Sequence, residues 1–142
     1  MSKIIAERYH DICCGHRVYG HENKCAHLHG HNYRFTFFLE PYKDLDSIGR
    51  VLDFSVIKST LCEWLEQNFD HKFLVWGNDP IYETLKVIDP NGVVPVPFNP
   101  TAENIAKHMV DVVAPSLLEG LNCKLTKCRV EETRKCAAIY EL

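Results

Sequence analysis

The residues best able to do chemistry sit close together: Cys25-Ala26-His27-Leu28-His29-Gly30-His31 puts one thiol and three imidazoles within seven positions. On an extended chain, side chains two apart share a face, with ~6 to 7 Å between their α-carbons. His29 and His31 therefore point the same way and could bind one ion, with Gly30 leaving room between them. A catalytic zinc usually takes three protein ligands and keeps a fourth position open, so a third imidazole must come from elsewhere. Downstream, Asp70-His71 places a carboxylate beside an imidazole, and Glu131-Glu132 offers two more carboxylates near the C-terminus.

The elements that must position these groups follow from periodicity. Residues 3–12 form a plausible first strand, leading into Cys13-Cys14-Gly15-His16 and a polar loop from Arg17 to Lys24. A second strand covers 32–40, where Tyr33, Phe35, Phe37 and Leu39 alternate with polar residues and Phe38 breaks the pattern, so both faces are partly covered. Val51 to Ser55 leads into a helix capped by Asp53 or Ser55, with Val56, Ile57, Thr60, Leu61, Trp64 and Leu65 at helical spacing to about Asn68. A short helix starts at Asn78-Asp79-Pro80 and runs through Val87, and Val93 to Pro97 is a short edge piece. A further helix opens at Asn99-Pro100-Thr101-Ala102-Glu103-Asn104, buries Ile105, Ala106, Met109, Val110 and Val113, and is kinked or ended by Pro115. Residues 123–132 and 136–141 are two strands joined as a hairpin at 133–135. The expected fold is a single α+β domain over 1–142: a four-stranded antiparallel sheet with two long helices on one face, in the order ββααββ. Such a sheet leaves a face and its edges open, which predicts self-association.

Composition narrows the function. A length of 142 residues with 46% hydrophobic content suits one ordinary core, and a net charge of -3 gives no basic footprint for nucleic acid. No apolar run approaches the ~20 residues that cross a bilayer, and the first residues do not read as a signal peptide, so a cytoplasmic, non-membrane protein is expected. Seven cysteines, an odd number without CxxC pairs, read as reduced thiols. Cys13, Cys14, Cys62, Cys123, Cys128 and Cys136 are expected to pack as small apolar residues, and His10, His21, His27 and His108 have no support as ligands.

In order along the chain, His16, Cys25-xxx-His29-Gly30-His31-Asn32-Tyr33, Val51-Leu52-Asp53-Phe54, Asp70-His71-Lys72, Pro100-Thr101-Ala102-Glu103-Asn104 and Val130-Glu131-Glu132-Thr133 resemble the motifs of the 6-pyruvoyl-tetrahydropterin synthase / 6-carboxytetrahydropterin synthase family. The resemblance implies the T-fold, assembling as a multimeric barrel, commonly a homo-hexamer of two stacked trimers with active sites between subunits. It implies Zn2+ on His16, His29 and His31, Cys25 as the catalytic thiol, and Asp70 with His71 as the proton-moving pair. It places Glu132 as the pterin anchor and as a catalytic member of the proton relay, with Thr133 beside it, and Thr101 and Glu103 where a helix start approaches the pterin. By sequence alone Glu131 competes with Glu132, Thr101 and Glu103 equally fit a helix cap and first-turn acid, and Asp70 equally fits a helix exit.

A pterin presents neighbouring N–H donors that one carboxylate can accept with both oxygens. The implied substrate is 7,8-dihydroneopterin triphosphate, and Arg8, Arg17, Lys24, Lys72, Arg134 and Lys135 are all available to its phosphates. The expected activity is that of a carbon–carbon/carbon–oxygen lyase. The compact chain and its Val130-Glu131-Glu132-Thr133-Arg134 ending resemble the carboxy branch, a step toward queuosine, which releases acetaldehyde; the alternative is the pyruvoyl branch, in which the three-carbon side chain stays. A non-catalytic zinc-stabilised pterin-binding protein and a zinc hydrolase are the readings from other classes.

Overall fold

A computed structural model describes residues 2–142. Its spine is the antiparallel pair β1 (Ala6–His16) and β2 (His29–Pro41). Alternation makes β2 a strand: Tyr33, Phe35, Phe37 and Leu39 are buried on one face, while Asn32, Arg34 and Glu40 face away with the buried Thr36 and half-buried Phe38. The pairing sets Ile12 opposite Tyr33, Cys14 opposite His31, Gly15 opposite Gly30 and His16 opposite His29. Both strands reach the loop further than their apolar pattern does. At that end the inward positions hold imidazoles, and hydrophobic alternation cannot mark them.

The four-stranded antiparallel sheet is overturned, because two further strands join β1 on its free side. β3 (Phe73–Trp76) and β4 (Val93–Val96) run parallel to their neighbours, giving a mixed six-stranded sheet in the order β4-β3-β1-β2-β5-β6. They are joined by a short helix, so residues 73–96 form a compact βαβ unit. Each is four residues long, too short for a period to show, and Phe73-Leu74 reads in sequence as a helix exit. Pro95 lies in β4, the outermost strand, where its missing N–H costs no ladder bond. On the other side β5 (Cys123–Glu131) pairs with β2 and β6 (Ala137–Glu141), with a bulge opposite Phe38 and Leu39.

Three helical segments, rather than two long helices alone, accompany the sheet. α1 covers residues 54–68, and the choice of cap falls on Asp53, whose carboxylate accepts the Ser55 N–H at 2.9 Å. Ile57, Leu61 and Leu65 lie fully buried along its inner stripe, each contributing about 2 kcal/mol through burial. α2 is Tyr82–Ile88. α3 covers 102–117, and Ile105, Ala106, Met109, Val110 and Val113 are buried as its spacing predicts. Pro115 does not end it: the preceding turn is widened, with the Ala114 N–H bonding five residues back to Met109, and the helix continues to Leu117. α1, α3 and the inner faces of β1, β2 and β5 share one core.

Candidate metal centre and adjoining hollow

The β1–β2 register brings three imidazoles together. His16 and His29 are cross-strand partners, and His31 lies two residues along the same face, so all three rings point to one spot at the end of the pair. Ring centroids are 4.5 Å apart for His16 and His29, 5.2 Å for His16 and His31, and 4.9 Å for His29 and His31. Each offers a ligand atom, all within 4.8 Å of one another, and the cluster could hold a metal ion. Gly15 and Gly30 face each other between these pairs, and the strands approach there so closely that a Cβ on Gly30 would sit 3.2 Å from the Cys14 carbonyl.

The second hydrogen bond of each ring orients it. His16 Nδ1 donates to the Pro100 carbonyl at 2.6 Å, and His29 Nδ1 donates to the His27 carbonyl at 2.7 Å. A carbonyl only accepts, so the proton sits on Nδ1 in both, and Nε2 carries a lone pair. Those two Nε2 atoms lie 3.0 Å apart. Two lone pairs at that distance repel unless a cation lies between them. Adding a proton instead is opposed at His16, whose pKa burial pushes down to about 4 against the opposite pull of its Pro100 hydrogen bond. Burial also lowers His31, whose Nε2 is buried, has no hydrogen-bond partner, and sits 3.4 Å from Glu132 Oε2 without hydrogen-bond alignment. The donor set thus fits a metal ion.

Beside this centre lie two joined hollows. The smaller, about 460 Å³, is lined by Cys13, Cys14, Gly15, Gly30, His31, Asn32, His71 and Lys72. The larger, about 810 Å³, shares Cys13, His31, Asn32 and His71 and adds Asp70, Glu131, Glu132, Thr133 and Arg134 among others. Asp70 and His71 are in contact, His71 Nδ1 lying 2.9 Å from Asp70 Oδ2. Burial alone would raise the Asp70 pKa, but the Cys13 N–H and the His71 ring hold it below the ordinary carboxylate range. His71 adopts φ 59°, a left-handed conformation, and its side chain is 78% exposed to the hollow. Both acids line the larger hollow: Glu132, just past the end of β5, approaches His31, whereas Glu131 Oε2 also accepts from Arg129 at 3.3 Å.

Not every candidate gathers there. Cys25 is half-buried in a single turn, Lys24–Ala26, outside the walls of the hollow. Thr101 caps α3, its hydroxyl accepting the Asn104 N–H at 3.1 Å, and Glu103 is exposed in the first turn. Thr133 lines the larger hollow and accepts the Lys135 N–H. Arg17 is committed to Asp79, while Lys72 and Arg134 stand in the hollow walls.

Two residues at the site escaped the sequence reading. Cys13 is exposed rather than packed: its N–H donates to Asp70, its carbonyl accepts the His71 N–H at 2.6 Å, and its thiol donates to Asn32 at 3.0 Å. Nothing in a chain of seven cysteines singled it out, and Cys136 is likewise exposed. Tyr33 read as core, yet its buried hydroxyl has no hydrogen-bond partner. Burial pushes its pKa up, reinforced by the charges of Glu132, Cys14 and Cys25.

The sequence profile of the 6-pyruvoyl tetrahydropterin synthases matches residues 5–142. A 6-carboxy-5,6,7,8-tetrahydropterin synthase of Rickettsia bellii is 37% identical over 134 residues, spanning 94% of this chain and 96% of the relative. The enzyme so named in Aquifex aeolicus is 37% identical over 129 residues, spanning 84% and 76%. Among solved structures, an uncharacterized protein from Wolinella succinogenes superposes with a TM-score of 0.84 at 24% identity, over 99% of each chain. The 6-pyruvoyl tetrahydropterin synthase of Caenorhabditis elegans gives 0.69 at 24% identity, over 100% of this chain and 97% of its own. These two likenesses show a shared fold.

Proposed function

The chain belongs to the 6-pyruvoyl tetrahydropterin synthase family, and from that premise we propose that it is a zinc-dependent 6-carboxy-5,6,7,8-tetrahydropterin synthase. It converts 7,8-dihydroneopterin triphosphate and one water to 6-carboxytetrahydropterin, acetaldehyde and triphosphate. The carboxy branch is favoured by the names of the curated relatives. The observation that carries the metal dependence is the 3.0 Å confrontation of the His16 and His29 Nε2 atoms beneath the unpartnered His31 Nε2. Tetrahedral zinc ligands at ~2.0–2.1 Å stand roughly 3.3 Å from one another, so small movements would seat the ion.

His16, His29 and His31 would hold the zinc, which supplies Lewis-acid polarisation of the substrate's side-chain hydroxyls. Glu132 accepts from the pterin's paired N–H donors, with Thr133 alongside, and a ligand lacking those donors would leave a charge buried without a partner. Cys25, as thiolate, takes a proton from a carbon next to the ring. His71, held by Asp70, returns a proton to the neighbouring position. Unsaturation thereby shifts from ring to side chain and triphosphate leaves; water then adds at the side-chain carbonyl next to the ring, and cleavage of the carbon–carbon bond beyond it releases acetaldehyde and leaves the carboxyl. We assign this chemistry to a homo-oligomer, a hexamer of two trimers. A single chain leaves β4 and β6 each paired on one side only, exposes Tyr9, Phe54 and Ile139, and keeps Cys25 off the wall that bears His71.

Zinc-loaded protein incubated with 7,8-dihydroneopterin triphosphate is expected to yield acetaldehyde and the 6-carboxy product, and Cys25→Ala to keep its zinc while losing both. A pyruvoyl product without acetaldehyde would overturn the carboxy assignment. No pterin turnover by zinc-bound protein would overturn the enzyme reading altogether.

A further inference from the structure

The loop that carries Cys25 has two non-local fastenings close together. Arg17 Nε and Nη2 donate to the two carboxylate oxygens of Asp79 at 2.7 and 2.5 Å, and the Asp79 side chain is fully buried. Two residues on, the Asn99 amide closes a reciprocal pair with the Tyr19 backbone: Asn99 Oδ1 accepts the Tyr19 N–H at 3.0 Å, and Asn99 Nδ2 donates to the Tyr19 carbonyl at 2.9 Å. Between these anchors, the Val18 N–H donates to the Cys25 carbonyl at 2.8 Å. Beyond Tyr19 the loop's backbone bonds are local: His21 to Val18, Ala26 to Asn23 and His27 to Lys24. Gly20 at φ 85° adds a flexible joint immediately after the clamp. The stretch holding Tyr19 also holds the metal centre, because Pro100 next to Asn99 accepts from His16. Asn104 Nδ2 ties the Asn99 carbonyl into the first turn of α3 at 2.9 Å.

We propose that Asn99 is a positioning residue that sets Cys25 relative to the His16–His29–His31 centre, through Tyr19, Val18 and the Val18–Cys25 backbone bond. One amide presents its acceptor and its donor on two separate atoms of one plane, so it meets both backbone groups at once, which a carboxylate, having no donor, cannot do. Placing a proton-transferring thiol is sensitive to displacements of about 1 Å, which can cost on the order of 100-fold in rate. This inference rests on the reading of Cys25 as the reacting thiol, and its test has an arm that does not use turnover.

Asn99→Ala is expected to lower kcat about tenfold or more, with the KM for 7,8-dihydroneopterin triphosphate within about twofold of the parent and zinc content unchanged. Asn99→Asp, which keeps the Tyr19 N–H bond and loses the other, falls between the two. The second readout is the pH profile of iodoacetamide alkylation at Cys25, mapped by peptide mass spectrometry, with exposed Cys13 as internal control. The Cys25 profile shifts in both variants and the Cys13 profile does not. Cys25 alkylation and kcat both unchanged would overturn the proposal. Zinc lost in step with activity would also overturn it, since Asn99 would then be supporting His16 through Pro100. If the parent enzyme makes no product, the alkylation arm still decides the clamp, and if Asn99→Ala does not fold, Asn99→Asp carries the same readouts.

Discussion

A histidine buried without its proton couples folding to pH. His16 titrates at about 4 in the fold, against about 6.5 in an unfolded chain. The unfolded state therefore binds the extra proton across that window, and stability is full above pH ~6.5 and falls as the pH drops toward 4. The shift corresponds to about 3 kcal/mol. In metal-stripped protein, the loss of urea stability between pH 7 and 4.5 is expected to be larger in the parent than in His16→Gln by most of that amount; equal losses would refute it. At this scale the sequence was informative wherever residue type is scarce or alternation decides. Spacing alone paired His29 with His31, while His16, and Glu132 over Glu131, were chosen on the family resemblance. Cys13 and Tyr33 could not be picked out, since a thiol among seven and an aromatic in an apolar strand look the same whether they face a core or a site.

Among the elements, β1 and β2 position the centre, and Gly15 and Gly30 face each other where they pass closely. A Cβ on Gly15 would stand 2.7 Å from the Phe73 ring and 3.3 Å from the His29 carbonyl. Gly15→Ala is therefore expected to destabilise the fold by about 1–3 kcal/mol through overpacking. Combining it with Phe73→Leu recovers part of the loss, because Phe73 pairs with Gly15 across the β1–β3 ladder. Thermal unfolding of the single and double variants checks this, and no difference between Gly15→Ala and the parent would contradict the crowding. The long strands and both long helices were legible because their periods run for eight residues or more. β3 was not, being too short for a period, and β4 showed only as the short edge piece at Val93 to Pro97, with no sign of its parallel partner. Parallel pairing leaves no local turn signal, so the joining of these two strands to β1 stayed hidden.

The whole molecule ties the candidate metal centre to the two middle strands of that sheet and to the segment entering α3. The ligands come from β1 and β2, while Pro100, from the segment entering α3, fixes the His16 ring. An ion bound there at roughly 1,000 times its Kd adds about 4 kcal/mol to stability. Chelation is accordingly expected to lower the melting temperature by roughly 10 °C, and zinc to restore it. An unchanged melting temperature in protein shown to have lost its metal would count against His31 Nε2 and its neighbours as ligands. No helix in the described residues is long and apolar enough to cross a membrane.

The left-handed backbone at His71 has a consequence for how such a chain can change over generations. A side chain there costs roughly 1 kcal/mol that glycine would not. Selection for heat tolerance alone would drift toward glycine at this position and arrive at sturdier molecules lacking the imidazole at the rim. Endurance and the imidazole at the rim therefore pull this position in opposite directions.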